Sequence, residues 1–172
     1  MNFYFDTEFI DNGKTIDLIS IGMINDNGET FYRVSSEFDV AEVLENPWLY
    51  ENVWPHIECD VIHEATYSKA EIAKDLLKFV DGHRGIEFWA YCGAYDFVVL
   101  RQLFGRGIDG PSWIPFHYNE VQSFARWTGS PIIRTLTDKE RHHALKDAKE
   151  VKAMCDMIRG NLQGNYRGNR GV

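Results

Sequence analysis

The chain has 172 residues, of which 44% are hydrophobic and 14% aromatic, and its formal net charge is −8. This composition predicts one globular domain and excludes an intrinsically disordered chain. The acidic charge argues against a nonspecific duplex-binding protein, which would usually be basic, although an enzyme acting on nucleic acid stays possible if cations offset its acidic ligands. No apolar stretch approaches the roughly 20 residues of a membrane span, and the N-terminus lacks the features of a secretory signal. We therefore expect a cytoplasmic protein.

The three cysteines, Cys59, Cys92 and Cys155, are widely spaced and form no paired motif. Reduced thiols are the simplest interpretation of an odd number at such spacing. His56, Cys59 and His63 lie close enough in sequence to suggest zinc. Their spacing fits no common zinc finger and a fourth ligand is missing, so a structural role is favoured over a metal site.

The first third of the chain has the pattern of an antiparallel meander. Turn signals at residues 11–13 and 25–28 separate runs of strand-forming residues, the second of them typical of a β-hairpin. The predicted strands cover residues 2–8, 16–25 and 29–34. A short helix over residues 39–46 is expected to end at Pro47, and the irregular aromatic segment over residues 47–66 receives no assignment.

The rest of the chain alternates between helices and strands. A capping box at Ser68 and Glu71 predicts a helix that runs to about Val80, and a buried strand is expected over residues 86–92. Apolar periodicity and Gly/Pro content predict the remaining segments: helices over residues 94–104, 119–127 and 144–158, with loops over 105–115 and 129–139. This order predicts an α/β fold with a mixed sheet, formed by a domain over residues 1–158. A Gly-, Asn- and Arg-rich tail follows over residues 159–172.

Two acidic residues stand at the end of the first predicted strand. Asp6 and Glu8 share one face of that strand because side chains alternate along it. Like charges this close are unfavourable unless a cation lies between them, and oxygen ligands suit a hard divalent ion. The same spacing of acids recurs at residues 37 and 39 and at residues 58 and 60. The pair alone therefore does not distinguish a metal site from a solvated strand end.

Asp96, His142 and Asp147 are the other candidates for chemistry. Asp96 falls in the first turn of a helix after a buried strand, where an acid either stabilises the helix dipole or joins a site at the strand end. His142 and Asp147 would point about 140° apart on one helix. They can converge only if His142 lies in the loop before the helix, with the side chain of His143 directed elsewhere. The alternative is an exposed His–Asp pair on a surface helix.

In this order the motifs resemble those of the DEDDh exonucleases, the DnaQ-like 3′–5′ exonucleases of the ribonuclease H-like superfamily. The motifs are Asp6-x-Glu8, then Asp96 in Tyr-Cys-Gly-Ala-Tyr-Asp, then His142-x4-Asp147. The resemblance covers about residues 1–158. It is nearest to a compact branch of 3′–5′ exoribonucleases first described in mycobacteria, through three segments: Tyr-Phe-Asp-Thr-Glu-Phe-Ile (4–10), Leu-Ile-Ser-Ile-Gly (18–22) and Gly-Ala-Tyr-Asp (93–96).

This resemblance implies a ribonuclease H-like fold, in which three antiparallel strands and further parallel strands form one mixed β-sheet flanked by α-helices. It also implies hydrolysis assisted by two Mg²⁺ ions, with Mn²⁺ as a possible substitute. Asp6, Glu8 and Asp147 would hold the ion that activates water. Asp6 would also bridge to a second ion, which Asp96 would help to bind. His142 would be the general base, and the product would be a nucleoside 5′-monophosphate from the 3′ end of single-stranded RNA.

Residues that would bind substrate are less sharply defined by the sequence. Phe9 is the first candidate to stack on the terminal base, although a role as a core aromatic residue is equally compatible with its position. Thr7 and Tyr95 are further candidates, and Trp48 is a weaker one. Five basic residues either meet phosphates or belong to the solvated surface: Arg101, Arg106, Arg134, Lys139 and Arg141.

Three alternatives stay open at this point. DNA could replace RNA as the substrate, because the motifs recognise phosphodiester and metal but not the 2′-hydroxyl group. The same fold could instead serve as a nucleic-acid or nucleotide binding module, although all five motif residues are present. The protein could also form a homodimer, with the tail over residues 159–172 packed on a second subunit. No membrane partner is expected.

Overall fold

The computed structural model describes residues 1–112 and 114–168, with side chains as far as Leu162. Within these residues a five-stranded sheet is surrounded by helices. The strands are β1 (Asn2–Asp11), β2 (Ile16–Asn25), β3 (Thr30–Val34), β4 (Glu87–Ala90) and β5 (Asn119–Glu120). The helices are α1 (Val40–Glu45), α2 (Pro47–Asn52), α3 (Trp54–Ile62), α4 (Lys69–Val80), α5 (Ala94–Gln102), α6 (Val121–Thr128) and α7 (Ala144–Gly168).

The sheet is mixed, with the strand order β3-β2-β1-β4-β5. Strands β1, β2 and β3 are antiparallel, whereas β4 and β5 run parallel to β1. The predicted meander and the predicted α/β class are thus confirmed. Strand β1 lies at the centre of the sheet, so its carboxyl end is the point where helices from both halves of the chain can meet.

The two faces of β1 bury different side chains. Phe3 and Phe5 pack in a core cluster with Ile72 of α4 and Leu100 of α5. Tyr4, on the opposite face, packs in a second cluster with residues of α6 and α7. The alternation predicted for this strand is confirmed, and it directs Asp6 and Glu8 to the same face as Tyr4.

A β-bulge interrupts the pairing of β1 with β2 just beyond the acidic pair. Glu8 pairs with Ser20, whereas Phe9 pairs with Leu18, so β2 contains one extra residue, Ile19. A bulge bends a strand and redirects the side chains that follow it. Here the strand that bends is β2, opposite the step from Glu8 to Phe9 in β1.

The segment over residues 47–66, which had no assignment, forms α2 and α3. Helix α1 ends just before Pro47, as predicted, and Pro47 itself begins α2, where the Asn46 side chain accepts hydrogen bonds from the backbone N–H groups of Trp48 and Leu49. Proline suits the first turn because that turn has no partner for its N–H groups. Leu49 and Ile57 pack with Val34 of the sheet in a third core cluster.

Three predicted boundaries in the second half need correction. Residues 119–120 form β5 and not the start of a helix, because they pair with β4 before α6 begins. Helix α5 ends at Gln102, two residues before the predicted end. Helix α7 continues past residue 158 to Gly168, and residues 169–172 of the predicted tail lie outside the described residues. Among the described residues, no helix is both long enough and apolar enough to cross a bilayer.

Candidate active site

A cleft at the carboxyl end of β1 brings the five predicted catalytic residues together. Asp6 and Glu8 come from β1, Asp96 from the first turn of α5, and Asp147 from the first turn of α7. His142 enters from the loop that precedes α7. Three segments that are distant in sequence therefore contribute to one surface, as the predicted motifs require.

Asp6, Glu8 and Asp147 form the tightest group in this cleft. Each can offer one carboxylate oxygen such that these oxygens lie within 4.8 Å of one another, and no other group of metal-ligating side chains of this kind occurs in the part of the chain that the structure describes. Glu8 and Asp147 are buried, and Asp6 is half-buried. The possible zinc site at residues 56, 59 and 63 is therefore not formed.

Asp96 is held beside this group by Thr7. The backbone N–H group of Thr7 donates a hydrogen bond of 2.8 Å to Asp96 Oδ1, and the Thr7 hydroxyl donates another of 2.7 Å to the same oxygen. Two donors on one oxygen fix the orientation of a carboxylate and favour its charged form. Thr7 was predicted to bind substrate. Its hydroxyl instead contacts Asp96, which favours a positioning role for Thr7.

The turn before α5 is fixed by an acid from the neighbouring strand. The backbone N–H groups of Cys92 and Gly93 donate to the two carboxylate oxygens of Glu120, each over 3.1 Å. A Cβ atom at Gly93 would lie 2.3 Å from the Cβ atom of Ala90, so the turn has room only for glycine. This packing determines where α5 begins and therefore where Asp96, in its first turn, lies.

His142 reaches the cleft from a strained backbone position. Its φ of 65° lies in the left-handed region, which is uncommon for residues other than glycine and concentrates at functional sites. Its Nδ1 atom lies 4.0 Å from Glu8 Oε2. Its ring packs edge-on against Trp48, with ring centroids 4.8 Å apart. The predicted loop position is thus observed.

His143 has a different environment from its neighbour. Its ring packs against Tyr32 and His56, with centroid distances of 4.7 and 5.8 Å, and does not line the cleft. Its backbone N–H group, however, donates a hydrogen bond of 3.1 Å to Asp147 Oδ2. The main chain of the loop therefore orients the carboxylate that the sequence assigns to the site, a contact that residue types alone do not reveal.

The carboxylates are crowded enough to disfavour their charged forms. Burial raises the pKa of Asp6 well above its usual range, and the charges of Asp96 and Glu8 raise it further. Burial and the charge of Asp147 raise the pKa of Glu8 in the same way. Burial raises the pKa of Asp147 to about 6 despite the hydrogen bond from His143. Carboxylates in this state bind a proton or a cation readily.

The imidazole of His142 has the opposite shift. Burial lowers its pKa below the usual value of about 6.5, and the positive charge of Arg134 lowers it further. Its neutral form therefore predominates at neutral pH. A neutral imidazole beside a group of carboxylates can accept a proton.

Of the residues predicted to meet a base, Phe9 and Trp48 line the cleft. The Phe9 ring contacts that of Tyr95, with centroids 5.8 Å apart. Tyr95 lies beside the cleft and is half exposed. Together these rings form an aromatic surface that begins directly after Glu8.

Of the five basic residues considered for phosphate contacts, Arg134 is the one that lines the cleft. The guanidinium of Arg101 is buried and donates to backbone carbonyls of Gly107, Ile114 and Pro115. Arg106 pairs with Asp109 and Arg141 pairs with Asp138 on the surface, and Lys139 lines a separate groove. The interpretation of these others as surface or structural residues therefore fits best.

The fold is that of ribonuclease H-like nuclease domains. The chain superposes on Pop2p of S. pombe, solved in a Mg²⁺- and Mn²⁺-bound form, with a TM-score of 0.59 at 16% identity, covering 92% of this chain and 82% of that one. It superposes on the nuclease domain of 3′hExo, a DEDDh family member bound to rAMP, with a TM-score of 0.57 at 11% identity, covering 95% and 92%. At these identities the likeness concerns the fold.

Sequence comparison identifies the family. Residues 1–159 match the 3′-5′ exoribonuclease Rv2179c-like domain. The chain is 36% identical over 152 residues to 3′-5′ exoribonuclease Rv2179c of Mycobacterium tuberculosis (strain H37Rv), covering 87% of this chain and 88% of that protein. The chain therefore belongs to the Rv2179c-like 3′–5′ exoribonuclease family, and it is an enzyme, a 3′–5′ exonuclease that hydrolyses phosphodiesters. The resemblance recognised from the motifs is confirmed.

Proposed function

We propose that this protein is a divalent-metal-dependent exoribonuclease that releases nucleoside 5′-monophosphates from the 3′ end of single-stranded RNA. The observation that carries the proposal is the convergence of Asp6, Glu8, Asp96 and Asp147 with His142 in one cleft. RNA is favoured as the substrate because the related protein of M. tuberculosis is named an exoribonuclease. The domain resembling it in fold was solved with a ribonucleotide.

The donor set supports Mg²⁺ or Mn²⁺ as the cofactor. All available ligands are carboxylate oxygens, which hard divalent cations prefer. Burial raises the pKa values of Asp6 and Glu8, and the negative charges of neighbouring carboxylates raise them further, a penalty that a bound cation would relieve. Asp6, Glu8 and Asp147 would hold one ion, and Asp6 with Asp96 would hold a second. When bound, the two ions would stabilise charge on the attacking and leaving oxygens of the phosphodiester.

The protein's own groups would position the attacking water and take its proton. The neutral imidazole of His142 lies beside Glu8 and would accept that proton as the water attacks the phosphorus atom. Trp48 packs on the His142 ring and limits its rotation. The bond between the phosphorus atom and the 3′-oxygen of the preceding nucleotide would break, that oxygen would take a proton from solvent, and His142 would return its own proton to solvent as the monophosphate leaves.

Aromatic stacking would place the 3′-terminal nucleotide. Phe9 follows Glu8 directly, and its contact with Tyr95 provides a flat apolar surface next to the carboxylates. Stacking of a base on an aromatic ring contributes about 1–3 kcal/mol and tolerates any base. The terminal base on Phe9 would bring its 5′ phosphate over the carboxylate group.

The decisive test uses 5′-labelled single-stranded RNA and DNA of the same sequence, incubated with Mg²⁺. A ladder that shortens from the 3′ end of RNA, with 5′-monophosphates as products, supports the proposal. Equal digestion of DNA would refute the ribonuclease assignment, and binding without cleavage would indicate a binding module. Glu8→Gln serves as the inactive control, and Glu58→Gln, outside the cleft, serves as the matched active control.

A further inference from the structure

Among the arginines and lysines whose side chains the structure describes, Arg134 is the one that lines the cleft, and it lies in the loop before α7. Its guanidinium lies over the ring of Tyr91, with Cζ 5.1 Å from the ring centroid. It makes no ion pair with Asp6, Glu8, Asp96 or Asp147 within the described part of the chain. Arg134 therefore contributes positive charge to the cleft without occupying the carboxylates that would bind metal.

A buried glutamate holds Arg134 in place. Glu150 is 4% exposed and lies one helical turn after Asp147 on α7. Its Oε2 atom accepts a hydrogen bond of 3.1 Å from Arg134 Nε. Its Oε1 atom accepts hydrogen bonds of 2.5 and 2.7 Å from the backbone N–H groups of Thr135 and Leu136. The carboxylate is thus saturated by one short segment of the loop, which fixes that segment to the helix that carries Asp147.

This arrangement leaves most of the guanidinium available. An arginine has five N–H donors, and Glu150 engages Nε alone. The Nη1 and Nη2 groups have no hydrogen-bond acceptor among the described residues, although the side chain is only about one third exposed. Planar pairs of N–H donors match the oxygens of a phosphate. The charge also reaches the reaction centre, since it offsets part of the rise in the pKa of Asp6 and adds to the lowering of the pKa of His142 by burial.

We propose that Arg134 binds a phosphate group at the 3′ end of the substrate strand, and that Glu150 is the residue that positions it. The inference rests on the proposed function, since it assumes a phosphodiester in this cleft. The oxygens of that phosphate would accept hydrogen bonds from Nη1 and Nη2, while the hydrogen bond from Nε to Glu150 keeps these two groups directed at the cleft. Arg134 would thereby align the strand with the carboxylates.

The test compares Arg134→Gln with Arg106→Gln. Both substitutions remove one positive charge, but Arg106 pairs with Asp109 on the surface and lies outside the cleft. We expect Arg134→Gln to lower kcat/KM on single-stranded RNA by about 10- to 100-fold, as loss of a charged hydrogen bond does. The slope of log(kcat/KM) against log[KCl] should become shallower by about 0.7, the value for one lost contact to a single strand. Arg106→Gln should change neither quantity.

Two further variants separate phosphate binding from a purely structural role. Arg134→Lys keeps the charge, so its salt slope should equal that of the unmodified protein. Because lysine lacks the planar pair of N–H donors, this variant should recover only part of the kcat/KM that Arg134→Gln loses. Glu150→Gln should raise KM, and in the double variant it should add little to Arg134→Gln, because Glu150 acts through Arg134. All assays are run at a temperature at which each variant is fully folded by circular dichroism.

A diribonucleoside monophosphate, whose only phosphate is the scissile one, resolves which phosphate is bound. If Arg134→Gln lowers kcat/KM equally on this substrate and on RNA, Arg134 binds the scissile phosphate. If it lowers kcat/KM on RNA alone, Arg134 binds the preceding phosphate. Unchanged kcat/KM and salt slope in Arg134→Gln would overturn the inference while leaving the proposed function intact. Absence of RNA degradation by the unmodified protein would instead refute the proposed function.

Discussion

Gly22 of β2 lies directly against the backbone of Leu145 at the start of α7. A Cβ atom at residue 22 would lie 2.2 Å from the backbone nitrogen of Leu145 and 2.4 Å from the carbonyl oxygen of Ala144. Gly22 pairs with Asp6 in the sheet, and Leu145 precedes Asp147 by two residues. This close approach of strand and helix therefore sets the separation between two of the proposed metal ligands.

Substitution Gly22→Ala should consequently damage both the fold and the site. The added methyl group must push α7 from the sheet, and such overpacking costs about 1–3 kcal/mol of unfolding free energy. Since the displacement moves Asp147 away from Asp6, we expect kcat/KM to fall at least tenfold even where the variant is folded. The measurements are thermal unfolding and RNA hydrolysis.

The matched control is Gly160→Ala, at a helical position where a Cβ atom meets nothing within 4 Å. Alanine there should leave activity unchanged and slightly raise stability, because it favours the helix by about 1 kcal/mol over glycine. Wild-type activity in Gly22→Ala would show that the contact does not set the geometry of the carboxylates.

The sequence alone was enough to predict those elements whose structure depends on one local rule. Alternation along β1 correctly placed Tyr4 opposite Phe3, and the Ser68 capping box correctly located the start of α4. The order of the motifs was enough to identify the family. These features depend on neighbouring residues, or on residue types that are rare in combination.

Contacts between distant segments could not be predicted in the same way. Glycine at residue 22 carries no sign that a helix 120 residues later lies against it, and the buried partner of Arg134 is one of many glutamates. Pro47 was correctly predicted to end α1, but the helix that begins at the same residue was missed, because proline also suits the first turn of a helix. Residues 119–120 pair with β4 only through tertiary structure, so these two polar residues were assigned to the helix that follows them.

Mg²⁺ should stabilise the protein, and the effect should depend on pH. A ligand that binds only the folded state at 100 times its Kd adds about 2.7 kcal/mol, and a domain of this size gains roughly 2–4 °C in Tm per kcal/mol. Because the pKa values of Asp6, Glu8 and Asp147 are raised, protons compete with the cation as pH falls. We expect the Mg²⁺-induced rise in Tm to be smaller at pH 5.5 than at pH 7.5.

Calorimetry with Mg²⁺ or EDTA at both pH values measures this difference, and Glu8→Gln provides the control with a weakened site. A Tm that is insensitive to Mg²⁺ at pH 7.5 would contradict the assignment of the carboxylates as metal ligands.

Asp147→Asn should stabilise the metal-free protein at neutral pH while abolishing activity. The folded-state pKa of Asp147, about 6, exceeds its value of about 3.9 in an unfolded chain. Its ionisation therefore destabilises the fold above pH 6, and this penalty disappears as pH falls from 6 toward 4. The amide oxygen of asparagine can still accept the hydrogen bond from His143.

The expected result is a higher Tm than that of the unmodified protein at pH 7.5 in EDTA, with a difference that vanishes near pH 4. Asp138→Asn, at an exposed side chain, is the control and should show neither effect. A lower Tm for Asp147→Asn at pH 7.5 would show that ionisation of the buried Asp147 does not destabilise the fold.

His142→Asn should lower kcat by about 10² to 10⁴ with little change in KM, as expected for loss of a general base. Since the His142 pKa is below about 6.5, the neutral form persists into mildly acidic solution, and the kcat of the unmodified enzyme should decline only below that pH. The stabilisation by Mg²⁺ should survive in this variant because all four carboxylates are retained. His63→Asn, at an exposed histidine outside the cleft, is the control; equal activity of the two variants would exclude His142 as the base.

Thr7→Val tests whether Thr7 positions Asp96 or binds substrate. Valine has nearly the same shape but removes the hydroxyl that donates to Asp96 Oδ1, while the backbone donor stays. One of two bonds that favour the charged carboxylate is lost, so the pKa of Asp96 should rise further. We expect a lower kcat and a higher Mg²⁺ concentration for half-maximal activity, with KM for RNA unchanged.

Thr7→Ser, which keeps the hydroxyl, should retain most of the activity. A rise in KM alone, at an unchanged requirement for Mg²⁺, would instead assign Thr7 to the substrate, because a residue that contacts only the RNA has no route to the affinity of Asp96 for a cation.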